Sequence, residues 1–74
     1  MIFDTATATV LAKALAIGAG SLGPGLAVGF IGAKAMESIG RNPESANQLF
    51  VPMLLGMAFA EAIAIYALVV TFIL

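Results

Sequence analysis

Two long apolar runs leave this 74-residue chain few ways to fold. Over residues 9–35 everything is apolar or small except Lys13 and Lys34, and over 49–74 only Pro52, Glu61, Tyr66 and Thr71 interrupt the hydrocarbon. An α-helix needs about 20 residues to cross a ~30 Å hydrocarbon core, and both runs exceed that. Only helices and closed barrels satisfy their backbone groups in lipid, and neither run has the period-2 alternation of a barrel strand. The composition closes the soluble alternative. A domain this short buries only about 60% of its chain surface, and a chain that is 62% hydrophobic and 9% charged cannot cover the rest with polar side chains. The reading is an all-α, membrane-spanning protein.

Between the runs lies the polar stretch 37–48, with Gly40 and then Asn42-Pro43 as its turn signal. A link this short forces the helices antiparallel, as a hairpin with both termini on one side. The expected organisation is a single domain over 1–74: helix one at about 6–39, a polar loop at about 40–44 and helix two at about 45–74. The start, Met1-Ile2-Phe3-Asp4, lacks the basic opening of a signal peptide, so Met1 is read as the mature start. Lys34 and Arg41 at the loop outnumber Lys13 at the other end, which puts the loop in the cytoplasm by the positive-inside bias. Lys13 snorkels to the opposite interface.

Several functions are excluded early. A net charge of −1 with three basic residues offers no basic stripe for nucleic acid. Without Cys or His there is no disulfide, thiolate metal site or imidazole acid–base chemistry. No nucleophile–base pair suggests an enzyme, and no metal site or cofactor is expected.

Six of the eight glycines fall in the first run: Gly18, Gly20, Gly23, Gly25, Gly29 and Gly32. Residues four apart on a helix form a column, giving Ser21-Gly25-Gly29-Ala33 and, beside it, Ala19-Gly23-Ala27. Small-xxx-small columns let backbones approach closely in lipid. Each glycine also lowers helix propensity by about 1 kcal/mol, so two full columns imply compensating contacts. One partner helix covers roughly one column. A closed homo-oligomeric ring, with first helices side by side, covers both, with Ser21, Gly23, Gly25, Ala27 and Gly29 as the packing residues. Simple pairing of the two helices within one hairpin is the plainer alternative.

Glu61 is the only charged residue after Glu44. An ionised side chain at the bilayer centre costs on the order of 2.5–3.5 kcal/mol, and such a residue marks a functional site by default. Counting back from a turn near Asn42 sets Glu61 at the depth of Gly23-Pro24-Gly25. Pro24 lacks an N–H and frees the Gly20 carbonyl. Ala58 and Ala64, three residues to either side, leave room beside the carboxyl, while Met57 and Ile65 are its apolar i±4 neighbours. Lys13, Lys34 and Arg41 all belong near the interfaces, so no basic partner stands at its height. A carboxylic acid in hydrocarbon favours its neutral form, which makes Glu61 a reversible proton carrier. Hard cations want several oxygens, and Val28, Phe59, Ala62 and Ile63 offer none beyond their carbonyls, with Ser21 and Tyr66 carrying the nearby hydroxyls. H⁺ is therefore favoured over Na⁺.

The joint order of Gly23-Pro24-Gly25, the loop Arg41-Asn42-Pro43 and Glu61-Ala62-Ile63 resembles the c-subunit, or proteolipid, of the rotary F-type ATP synthase. Asn42 stands where the family usually has Gln. The resemblance implies a rotor ring of identical copies in which Glu61 binds the transported proton. It implies a stator (the a-subunit) whose Arg favours the deprotonated form, and central-stalk subunits gamma and epsilon docked by Arg41, Asn42 and Pro43. It further implies that the Glu61 carboxyl donates to the Phe59 carbonyl. Sodium-binding members carry Gln and a hydroxyl residue at the positions of Val28 and Ala62, so the resemblance also favours H⁺. Pro24 and Tyr66 complete the expected surroundings, and a bacterial inner (plasma) membrane is the expected location. A sodium-coupled rotor, or a pore-forming or structural hairpin oligomer of holin-like type, is the competing reading. The last needs the glycine columns but not Glu61.

Overall fold

The computed structural model describes residues 4–74; the reading of Met1 as the mature start lies outside the described residues. Helix α1 spans Thr5–Arg41, a single 3₁₀ turn spans Pro43–Ser45, and helix α2 spans Ala46–Ile73. The helices lie antiparallel in a rod of 60 × 18 × 8 Å, two helices wide and one thick.

Local chemistry explains where each helix begins and ends. Asp4 sits in extended conformation before α1 and accepts a hydrogen bond from the Thr7 amide at 2.7 Å, an N-cap for the otherwise unpaired first turn. The other end departs from expectation. Gly40 is helical, and no described glycine has a positive φ, so α1 continues to Arg41. The break comes at Asn42, whose φ of −142° and ψ of 89° take the chain out of the helix. A residue that precedes proline is disfavoured in the α region, so Pro43, not Gly40, sets the turn. Proline at the first position of the 3₁₀ turn loses no needed donor. The Ser45 hydroxyl and amide both donate to the Asn42 carbonyl, at 2.7 and 2.9 Å, and close the reversal.

At this end of α1, Glu37 accepts from Arg41 at 2.8 Å and from Lys34 at 3.5 Å. These exposed pairs one turn apart contribute a few tenths of a kcal/mol each.

The seam between the helices is made of small residues. Pro24 and Ala35 of α1 and Ala60 of α2 are buried, whereas Phe30, Phe59, Tyr66 and Phe72 stand at least two-thirds exposed. An exposed apolar surface of this extent signals a membrane or protein partner. Both helices are long and apolar enough to cross a bilayer. Residues 14–33, between Lys13 and Lys34, rise about 30 Å at ~1.5 Å per residue, one hydrocarbon thickness. Among the glycines the least room is at Gly20, where a Cβ would lie 2.5 Å from the Ala67 Cβ; a Cβ on Gly56 would meet Ile31 at 3.2 Å.

Two outcomes follow from this geometry. Gly20→Ala should destabilise the hairpin by about 1–3 kcal/mol, the usual range for overpacking, because the obstructing methyl is fixed to the α2 backbone. Reversible unfolding in mixed detergent measures it. Asp4 is held below its ordinary 3.8 by the Thr7 backbone hydrogen bond first and the Thr7 side chain second. A depressed carboxylate stabilises above its unfolded value and loses that contribution as pH falls through the native one. The first turn should therefore stay ordered near pH 4 and fray only below it. Asp4→Asn should remove that pH dependence, as read by amide exchange at Thr7 and Ala8.

Candidate functional site

Register decides what stands beside Glu61. Gly20 meets Ala67 and Ile31 meets Gly56, while Gly32 meets Met57. Each step along α1 is thus matched by a step back along α2, and position 61 lies level with residues 26–28. The expected depth of Gly23-Pro24-Gly25 is about three residues too far from the loop. The reason is the turn: α1 runs on to Arg41 and α2 begins only at Ala46, so the midpoint of the reversal falls after Asn42. Pro24 is buried in the seam one turn beyond Glu61.

Successive helical residues are about 100° apart, so α2 can be divided by face. The seam stripe is Met53, Met57, Ala60, Ala64, Ala67 and Thr71, all buried or half-buried. Glu61 is exposed, roughly a quarter turn from that stripe, on one lateral edge of the hairpin. Met57 and Ala58 precede it on this edge. Val28 and Gly32 of α1 belong to the same side, since Met57 reaches Gly32 there. Phe59 and Tyr66 lie roughly 160° and 140° round from Glu61, on the opposite edge, and are 70% and 68% exposed. A single hairpin thus brings Glu61 together with Val28, but not with Phe59 or Tyr66. Ala62 is half-buried and adds only a methyl.

Among the described residues, both ion pairs end on Glu37. Lys34 is level with Met53, two turns from Glu61, and Lys13 is level with the far end of α2. The Ser21 hydroxyl donates to the Gly18 carbonyl in its own helix at 3.3 Å, and Thr71 likewise donates to Ala67 at 2.9 Å. No described side chain neutralises Glu61.

The glycines divide into two sets. Gly20, Gly32 and Gly56 serve the seam. A Cβ on Gly18, Gly23, Gly25 or Gly29 would meet nothing within 4 Å, so pairing within the hairpin does not account for them. Ser21 and Ala27 are half-buried at the margins of the seam. On the far side of α1, Gly25, Gly29 and Ala33 line a shallow groove of about 270 Å³, walled by Leu26 and Phe30. The hairpin accordingly has two unlike edges and a smooth, unfilled α1 surface. An interface that joins unlike patches is heterologous and closes into a ring when its rotation permits. At the tip, Arg41 ends α1, Asn42 makes the break and Pro43 opens the 3₁₀ turn, all three exposed.

Sequence reasoning names Met57 only as an apolar neighbour; its seat against Gly32 depends on the register, which a single sequence does not carry. The unfilled glycines generate a selective prediction. Gly29→Leu should leave the hairpin's helicity and unfolding unchanged while abolishing its oligomer, as measured by the size of the detergent-extracted complex. A Leu variant that assembles normally would assign this surface to lipid.

Comparison with known proteins agrees over most of the chain. The model of the ATP synthase C-subunit family matches residues 11–74. An ATP synthase c-subunit of Dehalococcoides mccartyi is 51% identical over 65 residues, covering 88% of this chain and 86% of that protein. One from Chloroflexus aurantiacus is 46% identical over 65 residues with the same coverage. One from a Synechococcus strain is 50% identical over 70 residues, covering 95% of this chain and 86% of that protein.

Proposed function

The chain belongs to the ATP synthase C-subunit family, and on that premise we propose that it is a proton-carrying rotor component in which Glu61 binds and releases the transported H⁺. The observation that carries the reading is the isolation of Glu61: an exposed carboxyl on the lateral edge of an apolar hairpin, within the hydrocarbon span and with no ion-pair partner among the described residues. Ionised in lipid, it would be expensive. Protonated, it can turn through the bilayer. The cation that draws the proton off then belongs to another chain, the Arg of the stator's a-subunit.

Identical copies side by side bring the Glu61 edge of one against the Phe59 and Tyr66 edge of the next. The unfilled surface at Gly23, Gly25 and Gly29 supports close contact between first helices in such a ring. Phe59, through its carbonyl, and Tyr66, through its hydroxyl, then become groups that a neighbouring copy supplies to Glu61. Val28 and Ala62 bring no oxygen to the site, which favours H⁺ over Na⁺. The exposed tip Arg41-Asn42-Pro43 suits docking of the central-stalk subunits gamma and epsilon. The two cations at that end, against Lys13 at the other, favour a cytoplasmic tip in a bacterial inner membrane. One charge crossing 100 mV carries about 2.3 kcal/mol, so each ATP requires several protons, and a ring of many copies provides several carriers per turn.

Carbodiimide modification of membranes that contain the assembled complex tests the assignment. Glu61 should be modified selectively and faster as pH falls, since the reagent attacks the protonated acid, and millimolar Na⁺ should not slow it. Strong protection by Na⁺ would overturn the choice of ion. A Glu61 that never reacts would overturn the carrier role.

A further inference from the structure

Long helical side chains lean back over the turn N-terminal to their own Cα, so Glu61 covers the turn that holds Met57 and Ala58. Ala58 is small and exposed. Met57 is half-buried, four residues back in the same column, with its thioether end turned toward α1. A Cβ added to Gly32 would come 2.9 Å from the Met57 Cε and within 4 Å of no other atom of α2. Gly32 is therefore a notch, and the end of Met57 sits in it.

This contact differs in kind from the other close one. At Gly20 the obstructing atom is the Ala67 Cβ, which cannot move without its helix. At Gly32 it is the far end of an unbranched, flexible side chain, which can swing away while the backbones stay where they are. On the seam side the stripe is packed, with Ala60 7% exposed. The remaining direction is outward, into the space under the Glu61 carboxyl.

We propose that Met57, seated in the notch at Gly32, is a positioning residue for Glu61: it sets the free volume beside the carboxyl and thereby the rate at which that group reacts or exchanges. The inference rests on Glu61 being the ion carrier. In the native hairpin the thioether is parked on α1 and the space by Ala58 stays open. Filling the notch evicts the thioether and crowds the acid, and truncating Met57 widens the space.

The test is the rate of dicyclohexylcarbodiimide attachment to Glu61 in assembled rings, followed by intact mass across a pH series. Gly32→Ala should slow modification several-fold at every pH without altering ring assembly. Adding Met57→Ala to that variant should restore the rate to the wild-type value or above, and Met57→Ala alone should exceed it. Wild-type kinetics in assembled Gly32→Ala rings would overturn the proposal. If Gly32→Ala rings do not assemble, Met57→Ala alone decides: faster attachment supports the proposal, and an unchanged rate overturns it. Failure of wild-type Glu61 to react at any pH would instead remove the carrier reading beneath it, so the two failures are distinguishable.

Discussion

In a hydrocarbon solvent an apolar side chain gains little by turning inward, so what holds this hairpin together is how closely two backbones can approach. The seam is built accordingly: Pro24, Ala35 and Ala60 are its buried residues, and Gly20 is set against Ala67 with no room for another methyl. Bulk is displaced outward, onto Leu22, Phe30, Phe59 and Phe72, where lipid or another copy can receive it. A soluble protein with this distribution would aggregate; a membrane hairpin uses it as an assembly surface. Everything else depends on the register that the Gly20 contact fixes, because it sorts the outward side chains onto one edge or the other.

That sorting gives Glu61 its setting. It shares an edge with Met57, Ala58, Val28 and Gly32, and it is separated from Phe59 and Tyr66 by the body of its own helix. On the proposed function the site is therefore half a site. A carboxyl with no ion-pair partner among the described residues, on an edge whose complement lies on the opposite side of the same chain, suits a repeating assembly that passes each carboxyl in turn before an external cation. The charged groups at the loop end have other tasks. Glu37 engages both Lys34 and Arg41 within α1, and the turn itself is closed by the Ser45 hydrogen bonds to the Asn42 carbonyl.

Much of this is legible in the sequence, and the rest is hidden for identifiable reasons. Two apolar runs and a polar link dictate a helical hairpin because lipid permits little else. Glu61 stands out because one charge in twenty-odd apolar residues has no bland explanation. The turn is harder to place because glycine is the commonest helix stop, yet Gly40 stays helical and the backbone restriction before Pro43 acts instead. That displacement shifts the facing depth from Gly23-Pro24-Gly25 to residues 26–28. The glycine columns are visible, but which glycines serve the seam is not: Gly20 and Gly32 differ from Gly25 and Gly29 only in direction, and direction follows from register.

The proposed function makes Glu61 the group that carries the ion, with no second carboxyl among the described residues inside the hydrocarbon span to replace it. Proton flux through membrane vesicles containing the whole complex, driven by an imposed potential, measures this most directly when wild type is set against Glu61→Gln. The amide keeps the size and hydrogen-bonding capacity of the acid but cannot release a proton. The Gln variant should give an assembled complex with no coupled proton flux. Flux retained at the wild-type rate in the Gln variant would contradict it.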